Sequence, residues 1–146
     1  MKGLLQQFQA TIERESLLPS GSNLILCVSG GSDSIALLHL CHQLSRRYRW
    51  RLHILHFHHG LREESDEEAR FVRDLSQSLN LGFHLRTTRD FQSETSGLQE
   101  KARHWRRTEA LKLRKEIRAD SILTAHHAED QLETWLLKWL RGAHLS

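Results

Sequence analysis

Long apolar runs, cysteine and proline are all scarce in this 146-residue chain. No window approaches 18 uncharged apolar residues, which leaves no candidate membrane-spanning helix. The opening "MKGLLQQFQATIERESLL" lacks the uninterrupted apolar core of a secretory leader, so a cytoplasmic protein without membrane partners is expected. The two cysteines, Cys27 and Cys41, lie in apolar segments and have no CxxC spacing. Neither a disulfide framework nor a thiolate metal site is indicated, and a reducing compartment fits. The one proline falls in "PSGSN", a break after a leading apolar pattern. Fixed-period repeats, low-complexity tracts and linkers are missing too, and the length suits one cored domain.

Charge, by contrast, is plentiful. Charged residues make up 27% of the chain, with a formal balance of +3 and a pI near 9.2. That balance permits an anionic partner such as a nucleotide or RNA without requiring one. Leu4, Leu5, Phe8, Ile12 and Leu18 recur at helical intervals and predict a leading helix. "LILCV" reads as a strand, and "SIALLHLCHQL" as a helix that its first serine, Ser34, could cap. The unit recurs with "RLHILHF" as a strand. "ESDEEARFVRDLSQSLN" follows as a helix, with Ser65 and Glu68 spaced as a capping box and Ala69, Val72, Leu75 and Leu79 on one face. "GFHLRTT", a helix from about 98 to 118, "SILTA" and "AEDQLETWLLKWLRG" continue the alternation, the last with Leu132, Trp135, Leu136 and Trp139 as one stripe.

Alternating strands and helices predict an α/β fold: a doubly wound, mainly parallel sheet of about four strands with helices on both faces, Rossmann-like. Ligands of such sheets bind beyond the carboxyl ends of the strands. The polar segments "SGGSDS", "HHGLREES" and "AHHAED" all fall at such ends.

The first of these carries the clearest chemistry. Two adjacent glycines allow a tight bend and exposed amides, and the helix that follows offers unpaired N–H groups and its positive dipole end to an anion. Ser29, Ser32 and Ser34 add hydroxyls, while Asp33 suits a magnesium nucleotide better than bare phosphate. A plain Gly-Ser turn with an Asp cap is the alternative. There is no lysine for a G-x-x-x-x-G-K-[ST] loop and no G-x-G-x-x-G spacing. His56, His58, His59, His126 and His127 suggest metal binding, but neither HExxH nor finger spacing is present, and packing or nucleotide contact fits them better. The helix carrying Arg103 and Arg106 also has Lys101, Arg107, Lys112, Arg114, Lys115 and Arg118, which a solvated basic face would explain equally well.

"SGGSDS" after a strand resembles the PP-loop of the ATP pyrophosphatases, enzymes of adenine nucleotide α-hydrolase-like fold that cleave ATP between its α- and β-phosphates. "HFHHGLREESDEEARFV", "GLQEKARHWRR" and "AHHAEDQLETWLLKWLRGA" further resemble, in order, segments of the N-terminal domain of the tRNA(Ile)-lysidine synthetase family. The resemblance implies ATP and Mg²⁺ as cofactors and tRNA(Ile) and free lysine as substrates. It implies a ligase that adenylates the wobble cytidine and joins lysine to it, releasing pyrophosphate and AMP. It puts Ser29, Gly30, Gly31, Ser32, Asp33 and Ser34 on ATP, Asp33 near magnesium, Asp130 either on magnesium or orienting the incoming amine, and Arg103 and Arg106 on phosphate charge. His59, Arg62, Glu100, His127 and Arg141 are further substrate or phosphate candidates.

The pattern departs from the family at Glu129-Asp130, where Asp-Asp is usual, at Arg107, where an aromatic residue is usual, and at His144, which replaces a glycine. Residues 1–146 are therefore expected to form one PP-loop ATP-binding domain, incomplete at its C-terminus, with a homodimer through an exposed sheet edge as an associated expectation. Another PP-loop enzyme, thiolating tRNA or forming amides, and a non-catalytic nucleotide-binding fragment are the alternatives.

Overall fold

A computed structural model describes residues 2–14, 16–58, 63–88 and 98–125. Its centre is β1 (Asn23–Cys27), whose "NLILC" alternates between two covered faces and so reads as a continuous apolar run. β2 (Arg51–His58) and β4 (Ser121–Thr124) flank it, and β3 (Gly82–Thr87) lies outside β2. All pairings are parallel in the order β3-β2-β1-β4, with Leu24 opposite both Leu52 and Ser121. The helices are α1 (Lys2–Arg14), α2 (Ser32–Tyr48), α3 (Glu63–Ser78) and α4 (Leu98–Ile117). The four-stranded, doubly wound sheet predicted from the alternation is present.

Strand periodicity decides which helix covers which face. Leu24, Leu26 and Val28 pack with Phe8 and Ile12 of α1, Leu37 and Leu38 of α2, and Val72 of α3. Ile25 and Leu55 point the other way, onto Ala110 and Leu113 of α4. From β1 the chain steps through β2 to β3 in one direction, then returns to place β4 on the opposite side of β1. The carboxyl ends of β1 and β4 thus form the switch point, where ligands of open α/β sheets bind.

The boundaries differ from the sequence pattern in instructive places. α2 starts at Ser32 with Gly31 as N-cap, so Ser34 is inside the helix and does not cap it. α3 starts at Glu63, which puts Ser65 within the first turn instead of at the cap. Leu18 is core (1% exposed) but lies beyond the end of α1, at φ +53°. All four described helices stop at left-handed residues that are not glycine: Ser16, Arg49, Asn80 and Arg118. In each case the next N–H bonds the carbonyl five residues back, as in Trp50 to Ser45, Leu81 to Ser76 and Ala119 to Arg114, each at 2.9 Å. The helix expected over 128–142 lies outside the described residues. Among those described, no helix is long and apolar enough to cross a membrane.

Candidate nucleotide site

The chain leaves β1 under tight control. Val28 N–H donates to Leu55 O at 2.9 Å, and Val28 O accepts from Nδ1–H of the buried His56 at 2.7 Å. Gly30 then takes φ +101°, which only glycine adopts readily; space is not the reason, because an added Cβ would meet Val72 and Glu68 at ordinary distances of 3.7 and 3.9 Å. Ser34, 3% exposed, turns its hydroxyl back into the loop. That oxygen accepts from Ser29 N–H and Gly30 N–H, both at 3.2 Å, and donates to Gly31 O at 3.0 Å. Gly31 N–H donates to Ser29 Oγ at 3.2 Å. The glycine amides are therefore engaged inside the loop, contrary to the expectation that they face outward.

The open donors are the next three. Ile35 is the first residue whose amide reaches a helical acceptor, Gly31 O at 3.0 Å. The amides of Ser32, Asp33 and Ser34 have no acceptor among the described residues, and no side chain caps the helix. A 17-residue helix aims its positive end at the same place. This is an anion cradle one loop beyond the switch point. The half-buried Asp33 accepts no hydrogen bond from the described residues, so its oxygens are available to a cation. Three amides for phosphate oxygens with a carboxylate beside them fit a magnesium nucleotide.

α4 runs antiparallel to the strands. Its end is fixed near their starts by Asn23 Nδ2–H, which donates to Ile117 O at 2.9 Å. Its first turns accordingly reach the carboxyl edge, where Trp105 packs edge-on against Phe57 with ring centroids 5.4 Å apart. Arg106 is half-buried and lies close to Cys27, the last residue of β1. Burial pushes the Cys27 thiol up to about 12, with Arg106 opposing the shift. Burial, and then the neighbouring Arg103, lower the proton affinity of Arg106. The structure thus brings Arg103 and Arg106 together at the strand edge that carries the loop, and Glu100 lies exposed in the first turn of the same helix.

A family profile described as PP-loop domain matches residues 4–146. The chain belongs to the PP-loop domain family. It is 36% identical to a tRNA(Ile)-lysidine synthase of Lactiplantibacillus plantarum, over 97% of this chain and 32% of that protein. It is 37% identical to one of Symbiobacterium thermophilum, over 96% and 30%. The chain thus spans about a third of the length of these curated relatives. In fold it is similar to the U34-tRNA thiolase NcsA of Methanococcus maripaludis, solved with its [4Fe-4S] cluster. The TM-score is 0.75 at 14% identity, covering 97% of this chain and 49% of that one.

The remaining expected residues divide clearly. His59, Arg62, His127, Asp130 and Arg141 lie outside the described residues. Two described residues near the loop were legible in the sequence only as histidines. His56 buttresses Val28, and His58 donates through Nε2–H to Asp66 Oδ1 at 2.7 Å, tying the end of β2 to the start of α3. Alternation along β2 puts both on the face covered by α2 and α3, but nothing in the sequence names the carbonyl or carboxylate that each one meets.

Proposed function

We propose that this PP-loop domain binds ATP for a tRNA-modifying ligase of the lysidine synthase kind. In that reaction the C2 oxygen of the wobble cytidine attacks the α-phosphorus of ATP and pyrophosphate leaves. The ε-amine of lysine then attacks C2, AMP departs with the oxygen, and the amine gives up a proton. A carbonyl oxygen leaves poorly and AMP leaves well, so adenylation lowers the barrier to carbon–nitrogen bond formation. The observation that carries the reading is the set of open amides at Ser32–Ser34, with Arg103 and Arg106 at the same strand edge.

The amides and the Ser32 hydroxyl hold the departing pyrophosphate, Ser29 and Ser34 keep the loop in shape, and the two arginines neutralise developing phosphate charge. Asp33, with Asp130, would hold Mg²⁺, which when bound offsets the charge of the triphosphate. His59, Arg62, Glu100, His127 and Arg141 serve substrate or phosphate. A cytoplasmic setting and a homodimer through the sheet edge belong to the same proposal. Exchange of labelled pyrophosphate into ATP, with a tRNA(Ile) transcript present, tests it. Asp33→Ala is expected to reduce exchange by about 100-fold or more, and undiminished exchange would sink the assignment of the loop. Transfer of labelled lysine to the transcript separates this reading from a thiolating PP-loop enzyme, whose fold this chain shares. Calorimetry that detects no ATP binding would leave a non-catalytic fragment.

A further inference from the structure

α4 contains seven lysines and arginines against three glutamates, and the sheet sorts them by side. Ala110 and Leu113 turn inward. On one flank, Arg86 of β3 pairs with Glu109 at 3.7 Å and Glu116 at 3.3 Å. Arg103, Arg107 and Arg114 follow one another at intervals of four and seven residues, which the helical period places on the other flank, and Arg118, just past the helix at φ +55°, lines the same cleft as Arg114. One acid, Glu100, heads that flank. Arg103, Arg107 and Arg118 are exposed and have no acidic partner among the described residues, while Arg114 donates its Nε–H to Ala119 O at 3.3 Å.

Solvated helices usually interleave opposite charges at i,i+4, and like charges at that spacing repel. Here Arg103 and Arg107 are like-charged at four residues. At the far end, Arg114, Lys115 and Arg118, with Leu111 and Ala119, line a cleft of about 480 Å³. This cleft lies by the amino ends of the strands and is distinct from the nucleotide site. From Arg114 back to Arg103 the flank spans about 17 Å, eleven residues at ~1.5 Å each, and Arg103 lies beside Arg106 at the PP-loop edge.

We propose that this flank of α4 is a docking track for the phosphate backbone of RNA, leading to the PP-loop edge. Forked guanidinium groups in series match successive phosphodiesters. Among the described residues the exposed large apolar side chains, Phe71 and Leu85, are on α3 and β3, away from the track, so the described part of the track offers no exposed apolar anchor for a lipid surface. The proposal rests on the preceding reading only in naming the RNA as tRNA.

The test is filter binding of a tRNA(Ile) transcript to the full 146-residue chain across 50–200 mM KCl. Arg107→Gln/Arg118→Gln is expected to weaken binding about tenfold and to make the salt slope shallower by roughly 1.5, two phosphate contacts at ~0.7–0.9 each. Arg107→Lys/Arg118→Lys should retain most of the slope. Arg46→Gln/Arg70→Gln makes the same change of charge at exposed positions on α2 and α3 and should leave the slope unchanged. Equal losses in the two glutamine pairs, an unaltered slope in the first, or no binding of RNA by the unmodified chain would overturn the track. Lysine transfer and pyrophosphate exchange are scored separately and bear only on the adenylation reading.

Discussion

On the face covered by α1, α2 and α3, Phe8, Leu24, Leu26, Leu37, Leu38 and Ile54 are completely buried in one aliphatic layer, whereas the face under α4 relies on Ile25, Leu55 and Leu113. Polar ties supplement the thinner side. Asn23 holds the end of α4 through Ile117 O and Arg118 O, and Arg86 holds its flank through Glu109 and Glu116. The difference matches what each face carries. The loop that leaves the three amides of Ser32, Asp33 and Ser34 open is backed by close packing, which resists displacement. A helix that presents cations cannot be apolar over much of its surface, so hydrogen bonds and ion pairs set its position.

The comparison is broken most directly by cavities. Leu38→Ala is expected to cost about 3–5 kcal/mol and Leu113→Ala about 2–3, because the thinner layer can relax around the gap. Urea unfolding with an unchanged m-value measures both, and equal losses would mean that the two faces are packed alike. Next in size, Ser34→Ala leaves two amides and a carbonyl of the loop without their partner and should cost about 1–3 kcal/mol while weakening ATP binding. Ser32→Ala should weaken ATP binding without that loss of stability, so calorimetry beside urea unfolding separates a loop-shaping serine from a ligand-facing one.

Asn23→Ala removes the tie to α4 and should cost about 1 kcal/mol, since it also removes a buried Oδ1 that has no partner among the described residues. Hydrogen exchange should then quicken in α4 and stay unchanged in α2. The smallest effect concerns pH. His53 and His84 meet on the α4 side of the sheet, Nδ1 to Nε2 at 3.5 Å. Burial lowers the affinity of both for a proton, followed by Arg51 at His53, and by His53 and Arg86 at His84. Below the ordinary histidine range the unfolded chain binds more protons than the folded one. Stability is therefore full above about pH 6.5 and declines as pH falls through it. Replacing both by glutamine should flatten that acid limb in a melting-temperature series.

Much of the fold was legible because each element satisfies a local rule. The apolar run of β1, Val72 and Leu75 of α3 and the glycine pair all point to the observed elements. Misread points involve partners distant in space or ends without a glycine signal. Ser34 suggested a helix cap, but it lies inside α2 and its hydroxyl meets Ser29, Gly30 and Gly31 only once the loop has closed. Arg103 and Arg106 could both have belonged to a solvated face; Arg103 is exposed, while the antiparallel course of α4 across the sheet half-buries Arg106 near Cys27 at the end of β1.

The order of residues alone determined that strands alternate with helices and that a flexible, hydroxyl-rich turn joins the first such pair, because periodicity and glycine freedom act over a few neighbouring residues. Tertiary structure decided that β4 lies beside β1, that the Ser32–Ser34 amides and not those of the glycines are open, and which flank of α4 keeps its charges unpaired. Those outcomes depend on which surfaces meet when the sheet assembles, and a local pattern does not encode its distant partner.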